Sequence, residues 1–588
     1  MAEKIVSPGV FTRENDLSFL PAGIGEIGAA VVGPTAKGPV GIPTLVSSYG
    51  EFVDKFGTTF KSGSSYYQYF TSQVAERYLE FGGALTVVRI AGDGHSTAVA
   101  KVPTGSLSSE ELLSGGINSA AGNAFNIHTL SAGAGMNTSG SSGTNNLLEA
   151  GTADNLRYEI TSVDLNAGTF SLLVRRGDDT NNNKRVLESW NQLSLDPNST
   201  NYIAKVIGDS VDTVVGTGTS AYIQPSGSYP NNSSYIRVEV LTETVDYLDN
   251  NGGIRDAAAS ASIPTAHSGT FASGADGNII AAAKFNEDIV SANVQGYNYS
   301  DISNTTGGLA VSTALSLLEN QDFYDINLIA VPGANQKDHS AIVDKLVDVC
   351  ESRGDCFAVV DATGYGQTPA QAVTEANDLN TSYAAMYWPW VQVADNQLNK
   401  NVWVPPSVVI PGVYASNDDA AAEWYAPAGL NRGGITAIRA ERNLTQANRD
   451  TLYSGRVNPI ATFPGVGVCA WGQKTLQKKA SALDRVNVRR LLINLKKFIA
   501  STSKFLVFEN NTTQTRNRFL STVVPYMEEV QANQGLYAFR VIMDESNNGP
   551  DVIDRNILKG DIFVQPARAA EFIIVDFNIL PTGATFND

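Results

Sequence analysis

Two apolar runs, INLIAVPG from Ile326 and CFAVVDATG from Cys356, enclose the segment NQKDHSAIVDKLVDVCESRG, and this arrangement constrains the fold more than any other feature of the 588-residue chain. Ile342, Leu346, Val349 and Cys350 recur at helical intervals between the two runs, so the stretch reads as strand, helix, strand. Such a unit calls for a mixed α/β domain with a partly parallel sheet. The same order occurs earlier. Tyr67, Phe70, Val74, Tyr78 and Phe81 predict a helix over 66–81, closed by Gly82-Gly83 and followed by the strand ALTVVRIAG.

Between about His95 and Val294 the pattern breaks. Stretches such as SAGAGMNTSGSSGTNN and SASIPTAHSGTFASGADGN carry too few apolar residues to bury a core and read as loops. LRYEITSVDL and TFSLLVRR alternate around Asn-Ala-Gly as a hairpin, and SYIRVEVL supplies another strand. The fold class expected is therefore mixed α/β (α+β) and multi-domain. Its main α/β domain is discontinuous, 21–94 plus 295–442, because an inserted, solvent-facing antiparallel β domain occupies 95–294. A C-terminal α+β domain follows over 443–570, with extended arms at 1–20 and 571–588.

A 43% hydrophobic fraction supports real cores at this length. The formal charge of -18 argues against wrapping nucleic acid, which needs positive surfaces. Cys350, Cys356 and Cys469 are too few for a disulfide framework and match no zinc spacing, which suits folding in a reducing compartment. The first residues, MAEKIVSPGVFTREND, have no apolar core of a signal peptide, and no window is apolar enough for a membrane span; synthesis in the cytoplasm is expected.

Chemistry-bearing motifs are sparse. GAAVVGPTAKGPVG, Gly28 to Gly41, is Gly-rich after a strand, but it lacks the order of a phosphate-binding loop and puts Pro34 where backbone donors are wanted; a structural turn is the better reading. Asp361 ends an apolar strand, where α/β enzymes often carry a carboxylate, yet no nucleophile or base motif accompanies it and a turn-forming role is favoured. His95, His128, His267 and His339 are scattered without metal-ligand spacing. No catalytic, cofactor or metal residues are assigned.

Charge supplies one sharper feature. From Lys474 to Lys504 nine basic residues face a single acid, Asp484, a local charge of +8 in an acidic chain. Leu483, Val486, Leu491, Leu495, Phe498 and Ile499 keep helical spacing, so a long amphipathic helix with a basic stripe is expected. That stripe is either a solvated face or a docking face for an acidic protein surface. Nucleic acid lacks supporting aromatic or motif signals.

Four blocks in this region, RVNPIATFPGVGVCAWGQKTL, VNVRRLLINLKKFI, KFLVFENNTTQTRNRF and GDIFVQPARAAEFIIVDFNI, resemble in order the C-terminal domain of contractile phage tail sheath proteins. SPGVFTREND and GAAVVGPTAKGPVGIPTLVSSYGEFVDKFG resemble the family's amino-terminal arm and first domain, and VLESWNQLSLDPNSTNYIAKVIGDS a stretch of its middle region. The resemblance implies a non-enzymatic subunit, without cofactor, that polymerises as stacked hexameric rings around a tail tube protein and contracts. Baseplate and tail terminator proteins are the further partners implied, and the location is a virion tail assembled in host cytoplasm. The tube-facing basic helix would carry Arg485, Arg489, Arg490, Lys496 and Lys497. Arms exchanged between subunits would use Val10 and Phe11 at one end and Phe572, Ile573, Ile574, Val575, Phe577 and Ile579 at the other; Ile573, Val575, Phe577 and Ile579 share one face of an alternating strand. A sheath of a related contractile injection machine, and more distantly an α/β enzyme, are the alternatives.

Overall fold

The computed structural model describes residues 28–62, 65–105, 122–139, 147–279 and 289–571. The chain divides into two compact units, one formed by 28–494 with the residues from Pro566 onward, the other by 495–565 among those described.

The larger unit is organised by a nine-stranded sheet. Across it the strands run Thr44–Val46, Leu85–Arg89, Gly28–Gly33, Ile326–Asn335, Phe357–Asp361, Ala384–Trp388, Val457–Phe463, Gly467–Ala470 and Gly434–Ile435. The six from Leu85–Arg89 to Val457–Phe463 are parallel, with antiparallel strands at the edges. Uninterrupted apolar runs follow from this placement, since helices cover both faces. Successive side chains of one strand feed opposite cores: Ala30 and Val32 pack with Ile342, Leu346 and Ala372, while Ala29 and Val31 pack with Val74, Val409 and Val413.

The helix Gln336–Arg353 joins two adjacent parallel strands. Asn335 caps its start by accepting from Asp338 N, and Gly354, in the left-handed region at φ 67°, ends it. Cys350 and Cys356 meet inside this turn, sulfur to sulfur at 3.2 Å and both fully buried. The helix expected over 66–81 is shorter than its periodicity suggested, Phe70–Tyr78, because Ser65–Gln68 pairs instead with Thr59–Ser62 as a hairpin. The side-chain amide of Gln295 accepts from Phe70 N at 2.9 Å and fixes where the helix begins.

Within 95–294 the strands are antiparallel. One sheet joins Ile236–Val240, Asn123–Ala132 and Thr97–Pro103; another joins Val186–Ser194, Thr169–Arg176, Leu156–Asp164 and His267–Thr270. They enclose a core of their own in which Phe125 stacks on Phe170 at 5.6 Å. The chain enters and leaves the β-rich part of this region side by side, just past the strand Leu85–Arg89: Gly92 N donates to Asp276 O at 3.0 Å and Asn278 N to Asp93 O at 2.8 Å.

The boundary expected near 442 falls elsewhere in the structure. Val457–Phe463 and Gly467–Ala470 are strands of the main sheet, so the division into compact units lies at 494/495, inside the helix Val486–Lys504. The Gly/Pro-rich stretch SGRVNPIATFPGVGVCAWG, expected in the C-terminal domain, is part of the main sheet instead, with Val457, Ile460 and Ala461 buried in it. The smaller unit holds the end of that helix, the helix Thr513–Ala532, and a two-stranded sheet of Leu536–Ile542 and Asp561–Pro566. Phe519, Val523, Met527 and Val530 form its buried stripe, and Phe498 stacks on Tyr526 at 3.7 Å.

Candidate functional site

The helix Val486–Lys504 is preceded by an irregular stretch, so the basic segment is not one continuous helix. Ser481 caps a short 3-10 turn there by accepting from Leu483 N. Arg485 lies just before the helix. Its Nε and Nη2 donate to the two oxygens of Glu571 at 2.6 and 2.9 Å, and its Nη1 reaches Asp484 at 3.0 Å.

Arg489 and Arg490 point into the larger unit, at 5% and 4% exposure. Arg490 grips the Asp418 carboxylate with both Nη atoms, Nη1 to Oδ1 at 2.8 Å, and lies over the Tyr414 ring at 4.8 Å. Burial would push its pKa down, but Asp418 outweighs burial and moves it up. Arg489 lies over the Tyr383 ring at 4.1 Å and donates to Ser382 Oγ; burial, unmatched by a carboxylate bond, lowers its pKa.

The expected five-residue surface stripe is thereby corrected. Arg489 and Arg490 turn inward to partners on the helix Pro406–Ala420 and in the turn before the strand Ala384–Trp388, and Arg485 is engaged by Glu571. Lys496 is exposed and Lys497 half-buried. The partners of Arg490 and Arg485 lie 72 and 86 residues away in the chain, so no local spacing could have revealed the pairings. Glu571 was read as the first residue of an arm. The arm residues Val10, Phe11, Phe572, Ile573, Ile574, Val575, Phe577 and Ile579 lie outside the described residues.

Glu571 is the most heavily bonded acid of this region. Besides Arg485 it accepts from Tyr453 Oη at 2.7 Å and Gln473 Nε2 at 3.3 Å. Burial works to raise its pKa, yet the bonds from Arg485 and Tyr453 together hold the carboxyl below its usual range. Cavities of about 450 and 370 Å³ adjoin it, and Ala569 and Glu571 line both.

The residues weighed for chemistry have structural partners. Lys37, in the Gly-rich turn, pairs with Asp154 at 3.2 Å, and that turn leads to a strand rather than to a helix N-terminus. Asp361 is fully buried; Oδ1 accepts from Ser407 N at 2.7 Å and Oδ2 from Ser407 Oγ at 2.5 Å, tying the strand end to the first turn of the helix Pro406–Ala420. Burial pushes its pKa up to about 7. His339 contacts Val290 O through Nε2 at 3.0 Å, and its Nδ1 accepts from Asn335 N, an arrangement for a neutral ring. Among the described residues no group of three or more His, Cys, Asp or Glu is placed to hold a metal, and no helix is long and apolar enough to cross a membrane.

Comparison with known proteins gives these features a context. Residues 279–476 match the phage tail sheath protein central domain and 478–580 the phage tail sheath C-terminal domain, together more than half of the chain. A tail sheath protein of Vibrio phage KVP40 is 40% identical over 38% of this chain and 34% of its own length. That of Enterobacteria phage T4 is 32% identical over 52% of this chain and 51% of its own. The matched stretches thus span about half or less of these relatives. The crystal structure of a sheath tail protein from Listeria innocua shares the fold, with a TM-score of 0.51 at 11% identity over 89% of this chain and 90% of that one. With both domain matches consecutive along the sheet and the smaller unit, the chain belongs to the phage tail sheath family.

Proposed function

We propose that the chain is the sheath subunit of a contractile phage tail, polymerising as stacked hexameric rings around a tail tube and shortening to drive the tube through the host envelope. The observation that carries this reading is the succession of the two sheath domains over 279–476 and 478–580. The work of contraction is then conformational free energy stored between two polymer states, with no cofactor. Self-assembly, the tube, the baseplate and the tail terminator are the contacts this role requires, in a virion tail assembled in host cytoplasm. A sheath of a related contractile injection machine is the second reading; the phage sheaths among the relatives favour the first.

Each part of the chain has a place in this proposal. The terminal segments carrying Val10, Phe11, Phe572 to Val575, Phe577 and Ile579 link neighbouring subunits by strand addition. Lys496 and Lys497 face an acidic tube, and the β-rich region 95–294 faces outward. Electron microscopy of the purified protein mixed with tube protein tests the whole. Tubes with a ringed outer layer are expected, and a protein that stays monomeric at every concentration sinks the reading.

A further inference from the structure

Just beyond the smaller unit, the chain returns to the larger one at Pro566 and approaches its last described residue through an exposed run, Arg568, Ala569 and Ala570. The run ends in a socket. Arg485, Tyr453 and Gln473 come from separate elements, and all donate to one carboxylate, Glu571. A second tier holds the donors: Asp484 pairs with Arg485 at 3.0 Å, and Lys474 sits over the Tyr453 ring at 4.2 Å while donating to Tyr453 O at 2.8 Å. Two-pronged guanidinium contacts fix direction as well as distance. The cavities beside Ala569 and Glu571 leave the run little packing other than this contact.

We infer that Glu571 is a positioning residue, the pin that fixes where and in which direction residues 572–588 leave the subunit, with Arg485 and Tyr453 as its socket. The inference rests on the proposed role of that segment as an arm. An arm rooted at a fixed point searches a smaller volume for a neighbour than one rooted several residues earlier, so its effective concentration is higher.

Trypsin reads the pin directly on the 588-residue chain. Arg568 is exposed, and between it and Asp588 there is no Lys or Arg, so cleavage of the 588-residue chain at Arg568 yields the peptide 569–588 intact. Glu571→Ala and Arg485→Ala are each expected to raise the cleavage rate at Arg568 about tenfold, with the double variant no faster than either single one. Glu571→Gln should fall between, and Tyr453→Phe, which removes one bond and keeps the packing, should raise the rate about two- to threefold. Circular dichroism and cleavage at Lys559 serve as controls for the fold. Unchanged cleavage at Arg568 in Glu571→Ala and Tyr453→Phe overturns the pin. Deleting 572–588 separates the two claims: if the shortened chain still forms sheath, the arm reading fails while the cleavage result decides the pin.

Discussion

Arg490, on the helix Val486–Lys504, clasps Asp418, on the helix Pro406–Ala420, with both Nη atoms, and Tyr414 of that same helix floors the contact. This pair ties the start of the basic helix to the layer covering one face of the sheet. Breaking a buried pair leaves an uncompensated charge, at a typical cost of about 3 to 5 kcal/mol; the Asp418 side chain retains 27% exposure, which lowers the figure. Arg490→Met is expected to lose about 2 to 4 kcal/mol in denaturant titration. Adding Asp418→Asn should recover part of that loss, because no charge is then stranded. A loss in Arg490→Met below about 0.5 kcal/mol, the scale of a surface substitution, would contradict this account.

A second prediction concerns pH. Asp361 has a native pKa of about 7, raised by burial above its value of 3.8 in an unfolded chain. The native state therefore holds a proton that the unfolded state releases, so the contribution is complete below pH 3.8 and is lost as pH rises toward 7. The slope is at most about 1.4 kcal/mol per pH unit. Asp361→Asn, neutral at every pH and able to accept from Ser407 N, should lack this slope and be the more stable form at pH 8. Parallel stability profiles of the two proteins between pH 4 and 8 would refute it.

Much of the architecture was legible because it rests on local pattern. INLIAVPG and CFAVVDATG are strands flanked by helices on both faces, and a residue buried from both sides leaves no room for polar alternation. The hairpin at Leu156–Asp164 and Thr169–Arg176 showed the opposite signature, with the turn Gly168 at φ 67°. Positive charge was visible but its direction was not. Arg489 and Arg490 satisfy the same spacing as surface cations, and Tyr383, in the turn before the strand Ala384–Trp388, and Asp418, on the helix Pro406–Ala420, turn them inward. The same holds for Asp361, whose partner Ser407 is 46 residues away.

Whereas Val294 packs in the core of the main sheet, most of the inserted region, 94–277, is expected to be removable. Its ends are joined across the two hydrogen bonds between Gly92 and Asp276 and between Asp93 and Asn278, so a short Gly/Ser bridge replacing 94–277 spans the gap without strain. The deletion strands two cations: Arg89, fully buried, keeps Gly38 O as an acceptor of Nη1 at 2.7 Å but loses Ala132 O at 2.7 Å and its pairing with Asp276 at 3.8 Å, and Lys37 loses Asp154 at 3.2 Å. The deleted chain should stay folded, losing in circular dichroism only the β signal of the removed strands, and still assemble on tubes, with Arg89→Met restoring stability lost at that site. A folded deletion variant that never assembles would place essential contacts in this region.

The last prediction tests the tube contact in its reduced form. Of the five basic residues expected on the stripe, Lys496 is exposed and Lys497 half-buried, and the inward-facing charge is proposed to lie with these two. Exposed ion pairs contribute only about 0.2 to 1 kcal/mol each, so a ring would be held to its tube by repetition around the circle, and the contact could break in sequence as contraction passes. Strand addition between subunits rests on backbone bonds and apolar burial, which ionic screening hardly touches. Raising salt should therefore loosen sheath from tube before it loosens sheath from sheath. Lys496→Glu with Lys497→Glu should abolish that difference, giving sheath that still self-associates but co-sediments poorly with tube even at low ionic strength. If the doubly reversed protein docks as the wild type does, and with the same indifference to salt, then the two lysines do not face the tube.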